Sequence, residues 1–246
     1  MAPPAPPDPA RRRLPLASAL RLERTLLRSL LHRHGWRLLL VFVGLLLPMW
    51  GFAELVDEVR EREPIAFDEP MLALARDAAS PALDRFFVIV TDLGYLHGVV
   101  PFDVLLVLTL MGLRRPREAT FAGIALAGSG LLNVGTKLLF ARDRPTLWES
   151  ITPESSYSFP SGHAMGSATL AWVVVLLAWR TRWRWPVLLL AVPFVLLVGG
   201  SRVYLGVHFP SDILAGWAAA SVWTAGVYGL VFRGGRRPWH LPPTAD

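Results

Sequence analysis

"PVLLLAVPFVLLVGGSRVYLGVHFPSD", residues 186–212, joins two kinds of sequence that seldom meet in a soluble protein. From Pro186 to Tyr204 its only charge is Arg202, and the run matches the roughly 20 residues a helix needs to cross the hydrocarbon core of a bilayer. Arg202, His208 and Asp212 then crowd the junction before a second apolar run from Ile213 to Phe232. An apolar helix, a polar turn and another apolar helix read as a transmembrane hairpin with ionisable groups at one membrane edge. Such groups are costly there and are usually functional.

Outward from this hairpin the pattern repeats. Apolar runs from Trp36 to Leu55, Phe86 to Leu113, Thr120 to Phe140 and His163 to Trp179 bring the expected spans to six. The second is interrupted by Asp92, Gly94, Pro101 and Asp103, which open it to a break into two pieces. With 246 residues, 53% hydrophobic and 18% charged, the composition is that of a membrane protein. The expected fold class is therefore all-α, a polytopic membrane protein with six transmembrane helices in a bundle. The first span lies too far along the chain, and is too long, for an ordinary cleaved signal peptide, so it is read as retained.

Four segments follow from this reading. Residues 1–15 are rich in proline and arginine and too poor in apolar surface to fold alone, so a disordered tail is expected. Residues 16–35 set Leu16, Leu20, Leu27 and Leu31 opposite Arg21, Thr25, Arg28 and His32, the pattern of a basic amphipathic helix lying on a membrane. Residues 36–233 hold the spans, and 234–246 form a C-terminal tail.

A formal net charge of +6 raises the question of nucleic acid. The arginines gather beside apolar runs instead of forming a continuous stripe, so they are read as topology signals and no nucleic-acid partner is expected. The N-terminal arginines, "RRPR" from Arg114, "RTRWR" from Arg180 and Arg233, Arg236 and Arg237 all fall on one side of a six-span chain. Because cytoplasmic loops carry the Lys and Arg excess, both termini are expected in the cytoplasm and the carboxylate-rich loop at 54–70 outside the inner (plasma) membrane. Lys137, Arg142, Arg144, His163, Arg202 and His208 then fall at the outer face, against the rule, and require a local reason.

That reason lies in three clusters. In "KLLFARDRP", Lys137 and Arg144 are seven residues apart, two helical turns and nearly one face, with Pro145 ending the helix. In "PSGH", Ser161 is placed to cap the next apolar helix, so the N–H groups of Gly162 and His163 face outward as an anion site. His163 on that first turn is placed to give a proton to a leaving oxygen. In "SRVYLGVHFPSD", His208 and Asp212 are four apart, close enough for the carboxylate to fix the imidazole tautomer and free its other nitrogen to attack. Three cations, a helix N-terminus, two histidines and a carboxylate on one face are the inventory of phosphoryl transfer. Three fixed cations make a divalent metal unnecessary, and the nearby arginines would repel one from His163 and His208, so no metal and no cofactor is expected. The absence of cysteine excludes thiolate catalysis and cysteine-ligated zinc.

Taken as a triple, K-x6-RP at Lys137 to Pro145, PSGH at Pro160 to His163 and SR-x5-H-x3-D at Ser201 to Asp212 resemble the type-2 phosphatidic acid phosphatase family, which shares its site with the vanadium haloperoxidases. The resemblance covers roughly residues 80–232. It implies that His208 is a nucleophile forming a phosphohistidine, that Asp212 orients it, and that His163 protonates the leaving group. It implies also that Lys137, Arg144, Ser161, Gly162 and Arg202 hold the phosphate.

The function expected is hydrolysis of a membrane lipid phosphate or diphosphate at the extracytoplasmic face. Undecaprenyl diphosphate, a carrier lipid of cell-wall assembly, is narrowly preferred because an outward site suits recycling of a lipid released there. Phosphatidylglycerol phosphate and phosphatidic acid are the alternatives within phospholipid metabolism, and transfer of the phosphoryl group to an acceptor other than water is another. A transporter is the reading from a different class; it rests on Asp92 and Asp103 inside the second span.

Overall fold

A computed structural model describes residues 42–234 and 237–239, with Gly35 and Leu39 besides. The expected tail at 1–15, nearly all of the interfacial helix at 16–35, the start of the first span and most of the C-terminal tail lie outside the described residues. The chain divides into two compact units, residues 1–43 and 44–246. The second carries every α-helix discussed below, and the described residues contain no strand.

A π-helical turn, Phe42–Leu46, leads into α1, Leu47–Glu61. Two short helices follow, α2 at Asp68–Asp77 and α3 at Pro81–Leu93, the latter capped by Ser80. Next come α4 at Val99–Gly112 and α5 at Pro116–Phe140. The bundle closes with α6 at Gly162–Ala178, α7 at Arg184–Tyr204 and α8 at Pro210–Val231. The run expected as the second span is two helices, α3 and α4, parted at Gly94 to Gly98. The loop expected at 54–70 is also largely helical, since α1 continues to Glu61 and α2 begins at Asp68. The charged side chains there changed the hydropathy without lowering helix propensity, so the membrane signal ended where the helix did not.

Helices α5, α7 and α8 are long and apolar enough to cross a bilayer, and α4 and α6 are shorter apolar helices. At about 1.5 Å per residue the three long helices reach about 30 Å or more, the thickness of a hydrocarbon core. Their outward side chains agree: Leu131, Leu138, Leu139, Leu189 and Leu190 are each at least 69% exposed, an apolar girdle that water would not tolerate at this extent. Inside, Phe121, Ala122, Ala125, Val173 and Val227 bring α5, α6 and α8 together.

The pairing of α6 with α8 sets the site, and small residues permit it. A Cβ at Gly216 would stand 2.9 Å from the Ser161 carbonyl oxygen and 3.1 Å from the Met165 nitrogen. Both are backbone atoms and cannot swing aside. Gly216→Ala is therefore expected to force the helices apart at the end that carries the site, at a cost of roughly 1–3 kcal/mol. A lowered thermal unfolding midpoint in detergent checks it.

Candidate active site

Four helix ends meet at one end of the bundle: the last turns of α5 and α7 and the first turns of α6 and α8. Lys137 and Arg202 come from the last turns, and His163 and Asp212 from the first. A turn at 205–209 carries His208, and the strand-free loop at 141–161 covers the assembly. Gly206 in that turn has φ +70°, a left-handed backbone that favours glycine.

His208 is buried. Its Nδ1 lies 3.3 Å from Asp212 Oδ2, the contact expected from their spacing. That oxygen also accepts from Ser158 Oγ at 2.5 Å and from the Phe209 N–H at 2.9 Å. With the Nδ1 proton turned toward Asp212, Nε2 is an acceptor, and Arg144 Nη1 stands 3.1 Å from it. This tautomer is assigned from the hydrogen-bond partners. Burial, then the charges of Arg202, Arg144 and Lys137, push His208 well below the usual imidazole range, so the ring is neutral at pH 7.

The cations converge on an acid that sequence reasoning missed. Glu154 Oε2 accepts from Arg144 Nη2 at 2.7 Å, and Oε1 accepts from Arg202 Nη2. His163 Nδ1 lies 4.0 Å from the same Oε1. Burial alone would raise the Glu154 carboxyl, but the charges of Arg202, then Arg144 and Lys137, outweigh it and hold it below the usual carboxylate range. Lys137 Nζ donates to Ser156 Oγ at 3.1 Å and to the Tyr157 carbonyl. Arg144 also donates to the carbonyls of Ser156 at 2.7 Å and Val207 at 2.6 Å, while Arg202 is held by Thr91 Oγ1 at 2.5 Å. Two guanidinium groups thus grip one carboxylate with His163 beside it, a slot shaped for oxygen anions, and Lys137 is bonded to the same loop two and three residues on.

Ser161 has extended backbone and its Oγ accepts from the Ala164 N–H at 3.4 Å, capping α6 as its sequence position predicts. Its own N–H donates to the Asp212 carbonyl at 3.0 Å, which ties the α6 start to the α8 start. Gly162 follows as the first residue of α6, and the His163 ring packs against Tyr95 with centroids 4.9 Å apart and planes tilted by 33°.

All eight residues singled out from the sequence, Lys137, Arg144, Ser161, Gly162, His163, Arg202, His208 and Asp212, lie at this end. One route to that outcome differs from the expected one. α5 stops at Phe140 and Ala141 turns left-handed at φ 45°, so Arg144 is off the helix and reaches Lys137 through the loop, not through helical periodicity. Arg202 and Asp212 do not pair with each other: Arg202 binds Glu154, and Asp212 binds Arg142. Of the acids behind the transporter reading, Asp92 pairs with His97 at 2.6 Å on the surface. Asp103 lines a cavity of 100 Å³ with Ser129, Asn133, Thr169 and Gly162.

An apolar helical bundle with a neutral histidine, its carboxylate partner and a ring of fixed cations at one end defines an integral-membrane phosphatase. Residues 118–236, which include every motif position above, match the PAP2 superfamily. The chain belongs to that superfamily. It is 31% identical over 156 residues to phosphatidylglycerophosphatase B of Bacillus subtilis, covering 61% of this chain and 76% of that one. It is 29% identical over 195 residues to an undecaprenyl-diphosphatase of Sulfolobus acidocaldarius, covering 76% and 85%. Among solved structures, a transmembrane PAP2-type phosphatidylglycerolphosphate phosphatase from Bacillus subtilis superposes with a TM-score of 0.65 at 27% identity, covering 74% of this chain and 94% of that one. Aquifex aeolicus LpxE shares the fold, with a TM-score of 0.56 at 23% identity over 66% of this chain and 95% of that one.

Proposed function

We propose that the protein hydrolyses a membrane lipid phosphate or diphosphate through a phosphohistidine on His208. The observation that carries this reading is the His208 ring, neutral by its surroundings, with Nε2 turned to the Arg144 guanidinium and Nδ1 to Asp212. In the first step Nε2 attacks phosphorus, the bond to the leaving oxygen breaks, and that oxygen takes a proton from His163. In the second, water attacks the phosphohistidine, gives a proton to His163 and releases inorganic phosphate. Asp212 holds the tautomer and balances the positive ring, while Lys137, Arg144, Arg202, Ser161 and Gly162 hold the phosphoryl oxygens. Substrate phosphate takes the place of the Glu154 carboxylate between the two guanidinium groups.

The chain is read as six spans with both termini cytoplasmic, its site on the extracytoplasmic side of the inner membrane, where a lipid's phosphate meets water while its tail stays in hydrocarbon. The positive-inside count supports this orientation. Undecaprenyl diphosphate is the preferred substrate, supported by that outward site and by a relative that carries this activity in its name. Phosphatidylglycerol phosphate is the second reading, supported by a relative and a solved structure described by that activity.

Purified protein in detergent with excess chelator, offered a panel of lipid phosphates and diphosphates, tests the proposal. Phosphate release is expected from at least one lipid, unchanged by the chelator and blocked by vanadate, which imitates five-coordinate phosphorus. Activity that disappears with chelator and returns with a divalent cation would replace this mechanism with a metal-dependent one.

A further inference from the structure

Behind the dyad lies a second ionic system that the phosphoryl-transfer reading does not use. Asp68, the first residue of α2, is 2% exposed, and its side chain bonds to Arg142 and Ser211 and to none of the proposed phosphate-binding groups. Its Oδ1 accepts from the Ser211 N–H at 2.8 Å, and its Oδ2 accepts from Ser211 Oγ at 2.5 Å and from Arg142 Nη2 at 2.9 Å. Arg142 Nη1 in turn donates to Asp212 Oδ1 at 2.6 Å and to Ser211 Oγ at 2.8 Å. The guanidinium lies 4.2 Å from the centre of the Phe209 ring, which closes its open face.

We infer that Asp68 and Arg142 are positioning residues that aim Asp212 at His208, so that α2 takes part in the reaction without touching substrate. The inference rests on the proposed role of His208. A carboxylate turns freely about its last torsion unless both oxygens are engaged. Asp212 uses Oδ2 for His208, Ser158 and the Phe209 N–H, and Oδ1 for Arg142. Arg142 therefore fixes the half of the carboxylate that the imidazole does not.

The arginine needs an anchor of its own. Bound only to Asp212, its second terminal nitrogen would be buried without an acceptor, which is costly for a charged group. Asp68 supplies that acceptor and, by binding the Ser211 N–H and hydroxyl, also caps the start of α8 from another helix. The chain of contacts from Asp68 to Arg142 to Asp212 and back through Ser211 is a closed ring, so none of its members can shift alone. An ordinary buried ion pair would not need to close on the residue next to the catalytic carboxylate.

Asp68→Asn tests this, because it removes a charge and keeps the shape. Outer partners that aim a reactive group typically matter by roughly 10- to 100-fold, and that loss is expected in kcat with KM unchanged within about twofold, on the scale of an ordinary surface change. In an Asp212→Asn background the same substitution is expected to lower the residual rate by less than about twofold, since it acts only through Asp212. If Asp68→Asn does not fold in detergent, Arg142→Lys is read the same way: one ammonium keeps the charge but cannot serve both carboxylates as a fork does. Wild-type kcat in either folded variant, a change confined to KM, or the full loss repeated in the Asp212→Asn background would overturn the relay. Wild-type protein that releases no phosphate from any lipid of the panel would overturn the phosphatase reading instead.

Discussion

His208→Ala is expected to lower kcat by roughly 10⁴- to 10⁶-fold, the range over which removing a nucleophile or its base acts in triad enzymes. The size follows from the absence of a substitute. Nε2 of His208 is the nitrogen held beside Arg144 Nη1, 3.1 Å away, while His163 packs against Tyr95 with its Nδ1 4.0 Å from Glu154 Oε1. The variant should nonetheless fold. Asp212 keeps Arg142 at 2.6 Å, Ser158 at 2.5 Å and the Phe209 N–H at 2.9 Å, so no buried charge is stranded, and the loss of that charge's partners is what makes such substitutions unfold proteins. Phosphate release should vanish together with acid-labile phosphate on the protein after brief exposure to radiolabelled lipid. Turnover within tenfold of wild type would remove His208 from the role of nucleophile and leave the cation slot without a chemical partner.

The features legible in the sequence are those whose signal is local. Apolar runs mark α5, α6, α7 and α8 because burial in lipid acts on each residue of a helix separately, and Ser161, Gly162 and the His208–Asp212 pair are defined by neighbours within four positions. The break between α3 and α4 was visible in Gly94 and the flanking acids. What was not legible depends on long-range contacts. Asp68 sits 143 residues from Ser211 and 74 from Arg142, in a stretch that reads as an acidic outer loop. Arg142 stood out only as a cation on the wrong side of the topology rule. Glu154 belongs to a loop with no period, and one clue was available: it is an acid between two clusters of cations. Lys137 and Arg144 show how a right conclusion can rest on a wrong step, since their seven-residue spacing suits a helix that ends at Phe140.

Arg202→Lys separates charge from geometry at the same site. Arg202 is 1% exposed, and its two terminal nitrogens have different tasks: Nη1 is fixed by Thr91 Oγ1 at 2.5 Å on α3, and Nη2 points to the Glu154 carboxylate in the anion slot. The fork is thus oriented before any phosphate arrives, which is the condition under which a fixed donor contributes most to a developing charge. A lysine ammonium keeps the charge but offers a single point on a flexible stem, so it can satisfy Thr91 or reach the slot and not do both. Arg144 would be a less clean probe, because its guanidinium also pins the covering loop through the Ser156 and Tyr157 carbonyls and the 205–209 turn through the Val207 carbonyl. For Arg202→Lys the expected loss in kcat/KM is about 2–4 kcal/mol, by analogy with a single oxyanion donor; that is roughly 30- to 1000-fold. Vanadate affinity should weaken alongside, because the same donors grip the five-coordinate geometry. A variant that loses kcat/KM yet binds vanadate as tightly as wild type would mean that Arg202 shapes the pocket without holding the phosphoryl oxygens.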